Sequence, residues 1–314
     1  MTPIDTPSAQ GAGSTDLEPA PRHRLPAIVR ALRPKQWVKN VLVFSAPLAA
    51  GQLLHWGVLR STLGALVAFA LVSSAVYLQN DARDVEEDRQ HPRKRFRPIA
   101  AGELSIPAAL VMCGVVFVAG AALGFWINPA LAAVLVVYAV MQVGYTAALK
   151  HQPVLDLAIV ALGFLLRAIA GGVASGIPLS QWFLLVASFG SLFMVAGKRY
   201  SEIVQLGAEA GTRPSLASYT PGYLRFVWTA AAVLVIAFYS LWAFDQRHLG
   251  VWGVPWTWVS IAPFTLAILS YARQIDSGEA GEPESAIHDP VLLVLGALWL
   301  VTTGIAVFGK ALAS

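Results

Sequence analysis

The chain has 314 residues, 56% of them hydrophobic and only 13% charged, with 22 Lys+Arg against 18 Asp+Glu. Soluble domains carry roughly 25% charged residues, so this composition excludes an ordinary water-soluble domain, and a net charge of +4 points to no nucleic-acid partner. The lone cysteine, Cys113, falls in an apolar run, which excludes a disulfide framework and a cysteine-based metal centre.

Residues 1–29 are rich in Pro, Gly, Ser and Thr and hold no apolar signal-peptide core, so they read as a disordered tail ahead of a membrane domain over 30–314. Nine segments are long and apolar enough to span a bilayer, at about 20 residues each. They cover 38–56, 61–79, 104–126, 129–148, 154–175, 180–197, 226–244, 252–272 and 290–309. The first is interrupted by Pro47, Gln52 and His55. With the N-terminus inside, only Arg60, Arg247 and Lys310 of the 22 Lys+Arg fall outside and Arg167 lies within the membrane. That bias sets orientation by the positive-inside rule. The expected protein is therefore all-α and multi-pass, sits in the plasma membrane, has a cytoplasmic N-terminus and an external C-terminus, and works on its cytoplasmic face.

Three polar clusters lie on that face. RPKQWVKN, residues 33–40, leads into the first span; an α-helix there puts Lys35 and Lys39 on one face, with Trp37 at interface depth. A phosphate site and a plain interface anchor fit this stretch equally. After the second span comes NDARDVEED, in which Asn80, Asp81, Asp84 and Asp88 form an NDxxDxxxD pattern. On a continuous helix the three aspartates share one face. Aligned carboxylates repel one another unless a cation lies between them, and oxygen-only ligands suit Mg²⁺ bridging to phosphate. A solvated helix end would not require such alignment beside the membrane, where ionisable groups are expensive. Arg89, Arg93, Lys94, Arg95 and Arg97 follow at once, serving topology and phosphate binding together.

GKRYSE, residues 197–202, ends the sixth span and offers Lys198, Arg199, Tyr200 and Glu202; Lys150, past the fourth span, is a weaker phosphate candidate. The loops after the second and sixth spans lie four spans apart, a spacing that would set them on facing sides of one cavity. Within the fifth span, Asp156 and Arg167 are eleven residues apart, too far to pair directly. Intramembrane charges mark function or a partner on another helix.

Together, the NDxxDxxxD motif after the second of nine spans resembles the UbiA superfamily of membrane prenyltransferases, over roughly residues 30–312. The resemblance implies an all-helical protein with a central cavity capped by cytoplasmic loops and Mg²⁺ on a diphosphate. It departs from the usual pattern after the sixth span, where GKRYSEIVQLGAEAGTRP replaces a second aspartate-rich motif. RPKQWVKN, the acidic motif with its basic tail and GKRYSE are instead similar to a branch that moves 5-phosphoribose from phosphoribosyl pyrophosphate to decaprenyl or another polyprenyl phosphate, toward cell-wall arabinan. The resemblance implies that Asp81, Asp84 and Asp88, with Asn80, hold Mg²⁺ on the donor. Lys35, Lys39, Lys198 and Arg199, then Arg93, Lys94 and Arg97, are the phosphate-holding candidates, and Tyr200 lines the ribose pocket. The rival readings are prenyl transfer from a prenyl diphosphate to an aromatic acceptor, a transporter or flippase, and a scaffold. A homo-oligomer is compatible with all of them.

Overall fold

Capping residues and prolines set where the helices begin. The computed structural model describes residues 25–149, 152–207, 216, 218–246, 251–280 and 289–313. Residues 1–24, 208–215 and 281–288, and the predicted positions Lys150 and Arg247, lie outside the described residues. Among the described residues every regular element is helical. In chain order these are α1 (Ala27–Ala31), α2 (Ser45–Ala49), α3 (Trp56–Arg83), α4 (Val85–Gln90), α5 (Ile106–Ile127), α6 (Pro129–Ala147), α7 (Pro153–Ser175), α8 (Gln181–Leu206), α9 (Pro221–Asp245), α10 (Trp256–Val259), α11 (Ile261–Asp276) and α12 (Pro290–Ala313). Ser105, Asn128, Ser180 and Thr220 cap α5, α6, α8 and α9 by accepting from backbone N–H groups of the first turn. Prolines in the first turns of α5, α6, α7 and α9 fall where their missing N–H goes unneeded.

Seven of these helices (α3, α5, α6, α7, α8, α9 and α12) are long and apolar enough to cross a membrane. The other two predicted spans are broken. The first is an eleven-residue 3₁₀ helix, Pro34–Phe44, followed by the five-residue α2. Pro47 and Gly51, the latter at φ +68°, keep that stretch from extending into one long helix. The eighth is divided at Ser260 into α10 and α11. The chain is already helical at Ala27, slightly ahead of the boundary expected at residue 30.

The helices differ sharply in their surroundings. The most apolar stretches of α3 and α7 are 61% buried inside the protein, against 11% for α5 and 6% for α12. Thus α3 and α7 form the centre, and α5 and α12 present most of their surface to lipid. Between helices in a membrane, close packing replaces the hydrophobic drive. Accordingly α3 turns Ala65, Ala68, Val72 and Ala75 inward, and Gly120 of α5 fits against the Ala68 carbonyl. One core joins α3, α6, α7 and Val43; a second joins α7, α8, α9 and α11. α7 contributes to both. At the N-terminal end of α3 and the C-terminal end of α5, Trp56 and Trp126 are 73% and 85% exposed, the kind of residue enriched where membrane helices meet the interface.

Candidate active site

Hydrogen bonds between helix ends gather the polar residues onto one face. Arg83, at the end of α3, reaches the Ala147 carbonyl at the end of α6 at 3.4 Å. Tyr145 of α6, Asp156 of α7 and Arg199 of α8 meet there, as do Tyr200 of α8, Asp276 of α11 and Arg225 of α9.

The acidic motif sits at the joint between α3 and α4. Asp84 terminates one helix and opens the next, at φ −90° and ψ 18°. Backbone bonds run across it, from Asp84 N to Asn80 O at 2.9 Å and from Asp88 N to Asp84 O at 2.8 Å, so Asp81 and Asp88 still face the same way. Both are buried, at 4% and 2% exposure, and one guanidinium nitrogen bridges them. Arg97 Nη1 donates to Asp88 Oδ2 at 2.6 Å and to Asp81 Oδ1 at 3.1 Å. Lys94 Nζ lies 4.0 Å from Asp88.

Arg33, not singled out from the sequence, grips Asp81 from the other side. Its Nε lies 3.3 Å from Oδ2, its Nη2 pairs with Oδ1, and its guanidinium lies over the Tyr77 ring at 4.9 Å. Its backbone is left-handed, at φ 54° and ψ 58°, a strained conformation for a residue with a side chain. The residue before a proline is driven out of the α region, and Arg33 precedes Pro34; that pairing was the available sequence signal. Trp37 Nε1 donates to Ser74 Oγ at 3.0 Å, and Ser74 Oγ donates to the Leu32 carbonyl at 2.8 Å, locking this stretch to α3.

The 3₁₀ geometry of Pro34–Phe44 corrects the expected pairing of Lys35 with Lys39. At three residues per turn, positions four apart diverge, and positions three apart align. Asn40 and Val43 therefore share the buried inward face, with Trp37 above them exposed but bonded to Ser74, and Lys35 is exposed while Lys39 is half-buried. Arg93 is exposed on the loop beyond α4.

The GKRYSE cluster is arranged differently from the expectation. Arg199 is committed to Asp156, Nη2 to Oδ1 at 2.8 Å, rather than left for phosphate. Asp156 also accepts from Tyr145 at 2.6 Å and from Tyr219 at 3.0 Å. Burial, then the Asp156 charge, pushes the Tyr219 phenol well above its ordinary range. Tyr200 is buried, its hydroxyl engaged with Asp276 and Arg225, which does not suit it to a ribose pocket. Lys198 and Glu202 pair at 3.9 Å and are only partly covered. The intramembrane charges thus have separate partners: Asp156 takes Arg199, and Arg167 takes Asn40.

The acidic site fits a divalent cation by its donor chemistry. Besides Asp81 and Asp88, the side-chain oxygen Oδ1 of the adjacent Asn80 is buried with no hydrogen-bond partner. Among the described residues no three His, Cys, Asp or Glu side chains form a ready cage. Mg²⁺ does not need one, since it binds through one or two carboxylates plus water and substrate phosphates.

The profile of the UbiA prenyltransferase family matches residues 41–300. The chain is 51% identical to decaprenyl-phosphate phosphoribosyltransferase of Corynebacterium glutamicum, over 92% of this chain and 89% of that one. It is likewise 51% identical to the enzyme of that name from Mycobacterium tuberculosis, over 91% and 96%. Among solved structures, a UbiA homologue from Archaeoglobus fulgidus bound to GPP and Mg²⁺ superposes with a TM-score of 0.64 at 19% identity, covering 90% of this chain and 99% of that one. That likeness speaks to the fold.

Proposed function

The chain belongs to the UbiA prenyltransferase family, and from that premise we propose that it transfers 5-phosphoribose from phosphoribosyl pyrophosphate to decaprenyl or another polyprenyl phosphate, with Mg²⁺ as cofactor. The observation that carries this reading is the oxygen-only set of Asp81, Asp88 and Asn80, buried at one membrane face and ringed by Arg33, Lys94 and Arg97. A donor with a diphosphate and a separate 5-phosphate suits one acidic site surrounded by extra cations. The activity named for the relatives supports phosphoribose rather than a prenyl group as the moving unit.

Asp81, Asp88 and Asn80 would hold Mg²⁺, with Asp84 at the joint between them. When bound, the ion neutralises the charge that builds on the departing pyrophosphate. Arg33, Lys94 and Arg97 present guanidinium and ammonium groups to the donor phosphates, and Lys198 supplies a further cation from α8. An oxygen of the lipid phosphate forms a bond to ribose C1 while the C1–O bond to pyrophosphate breaks, the bonding pair leaving with the pyrophosphate oxygen. Attack from the opposite face inverts C1. The attacking oxygen is already anionic, so no side chain has to take a proton. On this reading the product, decaprenylphosphoryl-5-phosphoribose, forms at the cytoplasmic face of the plasma membrane and supplies arabinan synthesis.

The test is to incubate purified protein with labelled phosphoribosyl pyrophosphate, a polyprenyl phosphate and Mg²⁺. The expected result is lipid-extractable label that disappears with EDTA. No such product, together with turnover of a prenyl diphosphate and an aromatic acid, would return the chain to ordinary prenyl transfer.

A further inference from the structure

Arg167 is a buried cation with no anion beside it among the described residues. It is 5% exposed in the middle of α7, and its three hydrogen bonds all go to neutral oxygens. Nε donates to Asn40 Oδ1 at 2.8 Å, Nη1 to the Gly163 carbonyl at 2.7 Å and Nη2 to the Tyr138 hydroxyl at 3.0 Å. The Phe69 and Tyr138 rings lie 4.9 Å from the guanidinium carbon. Among the described residues no Asp or Glu pairs with it. Neutral partners and ring faces offset part of the desolvation, yet a buried charge without a counter-ion remains unfavourable.

A second donor beside it lacks a partner. Asn40 is 0% exposed and its Nδ2 has no acceptor. A guanidinium has five N–H donors, and three are used here. The surplus on both residues is therefore donor-only, the complement of an oxyanion. The position is also rigidly built. One turn further along α7, Gly171 lies so close to the Val43 carbonyl that any Cβ would overlap it. Val43 is three residues from Asn40 on the inward face of the 3₁₀ helix, so the contact at Gly171 holds Asn40 in place against Arg167.

Depth identifies the anion. Side chains on a helix lean toward its N-terminus, and the bond from Arg167 to the Gly163 carbonyl places the guanidinium at that level. Gly163 is seven residues from Asp156, about 10 Å below the polar face along α7. On the proposed reading, Arg33, Lys94 and Arg97, at the Asp81 end of α3, take the donor phosphates. We propose that Arg167 and the Asn40 amide form the site for the phosphate headgroup of the lipid acceptor, holding it beneath the donor while its chain stays in the apolar interior. This rests on the transferase reading for the identity of the lipid, but not for the existence of the anion site.

The test reads binding without turnover. Farnesyl phosphate, farnesol and phosphoribosyl pyrophosphate with Mg²⁺ are titrated separately against wild type, Arg167→Gln, Arg167→Lys and Asn40→Asp. The Asp variant keeps the oxygen facing Arg167 and adds a counter-ion, so a purely structural tie survives in it. Expected is a loss of about tenfold or more for farnesyl phosphate in Arg167→Gln and Asn40→Asp, with partial recovery in Arg167→Lys. Farnesol and phosphoribosyl pyrophosphate should change by less than about threefold, and Asn40→Asp should melt no lower than wild type. Unchanged farnesyl phosphate binding in a folded Asn40→Asp protein overturns the site, as does a loss confined to phosphoribosyl pyrophosphate. If wild type makes labelled lipid yet these variants bind normally, only this inference falls. If wild type makes none but farnesyl phosphate binding depends on Arg167, the transferase reading falls and the site stands.

Discussion

Two buried carboxylate clusters stand on the same face of the helix bundle and are built in opposite ways. Asp156 is 1% exposed, and Arg199, Tyr145 and Tyr219 all donate to it. Those donors come from α6, α8 and the stretch before α9, so the cluster is a closed tie between helices. Asp81 and Asp88 are equally buried, but their cations, Arg33 and Arg97, stay partly open, with side chains 23% and 29% exposed. The side-chain oxygen of the adjacent Asn80 has no hydrogen-bond partner. A satisfied network rigidifies, whereas a surplus acceptor near partly exposed cations leaves room to exchange partners when a metal or phosphate arrives. Similar burial therefore serves stability in one cluster and chemistry in the other.

The sharpest way to break this comparison is to neutralise one acid from each. Asp81→Asn or Asp88→Asn should lower transfer by at least about 100-fold while the melting temperature stays close to wild type. Near-normal turnover at low Mg²⁺ would remove the metal role from α3 and α4. Asp156→Asn should do the reverse. It leaves the half-buried Arg199 beside a neutral amide, a loss of about 2–4 kcal/mol visible as a lower unfolding temperature in detergent. The fraction that stays folded should keep its affinity for phosphoribosyl pyrophosphate, and a selective rise in KM for that donor would instead make Arg199 a phosphate holder.

Smaller changes sharpen the contrast. Ser74→Ala removes the link between Trp37 and the Leu32 carbonyl. It should cost about 1–3 kcal/mol and speed proteolysis between residues 30 and 45. Tyr219→Phe removes one of the donors to Asp156, for about 0.5–1.5 kcal/mol. Because the Tyr219 phenol is raised in the folded state, the unfolded chain loses that proton first, near pH 10. Its stabilising share is intact below that pH and falls as the pH rises further. Wild type should lose stability above about pH 10 more steeply than Tyr219→Phe, which alkaline melting curves would read.

Much of this was legible without coordinates. Long uncharged runs announced the seven continuous spans. The spacing of Asp81 and Asp88 announced their shared face, because helical periodicity is a local property and persists through the mild joint at Asp84. Local rules misled where backbone type changed: residues 34–44 form a 3₁₀ helix, so Asn40 and Val43 face inward in place of a lysine pair.

By itself, then, the sequence determined an all-helical membrane chain with its basic residues gathered toward one face and an acidic motif at a helix end. The choice of partners was decided only in three dimensions. Asn40 and Arg167 are 127 positions apart, and Asp156 and Arg199 are 43 apart. Which buried charge meets which depends on how α3, α7 and α8 pack, since a charge held out of water must be satisfied by whatever packing brings near. That is why Arg199 ties helices together, while Arg167, with only neutral partners, is left able to receive an anion.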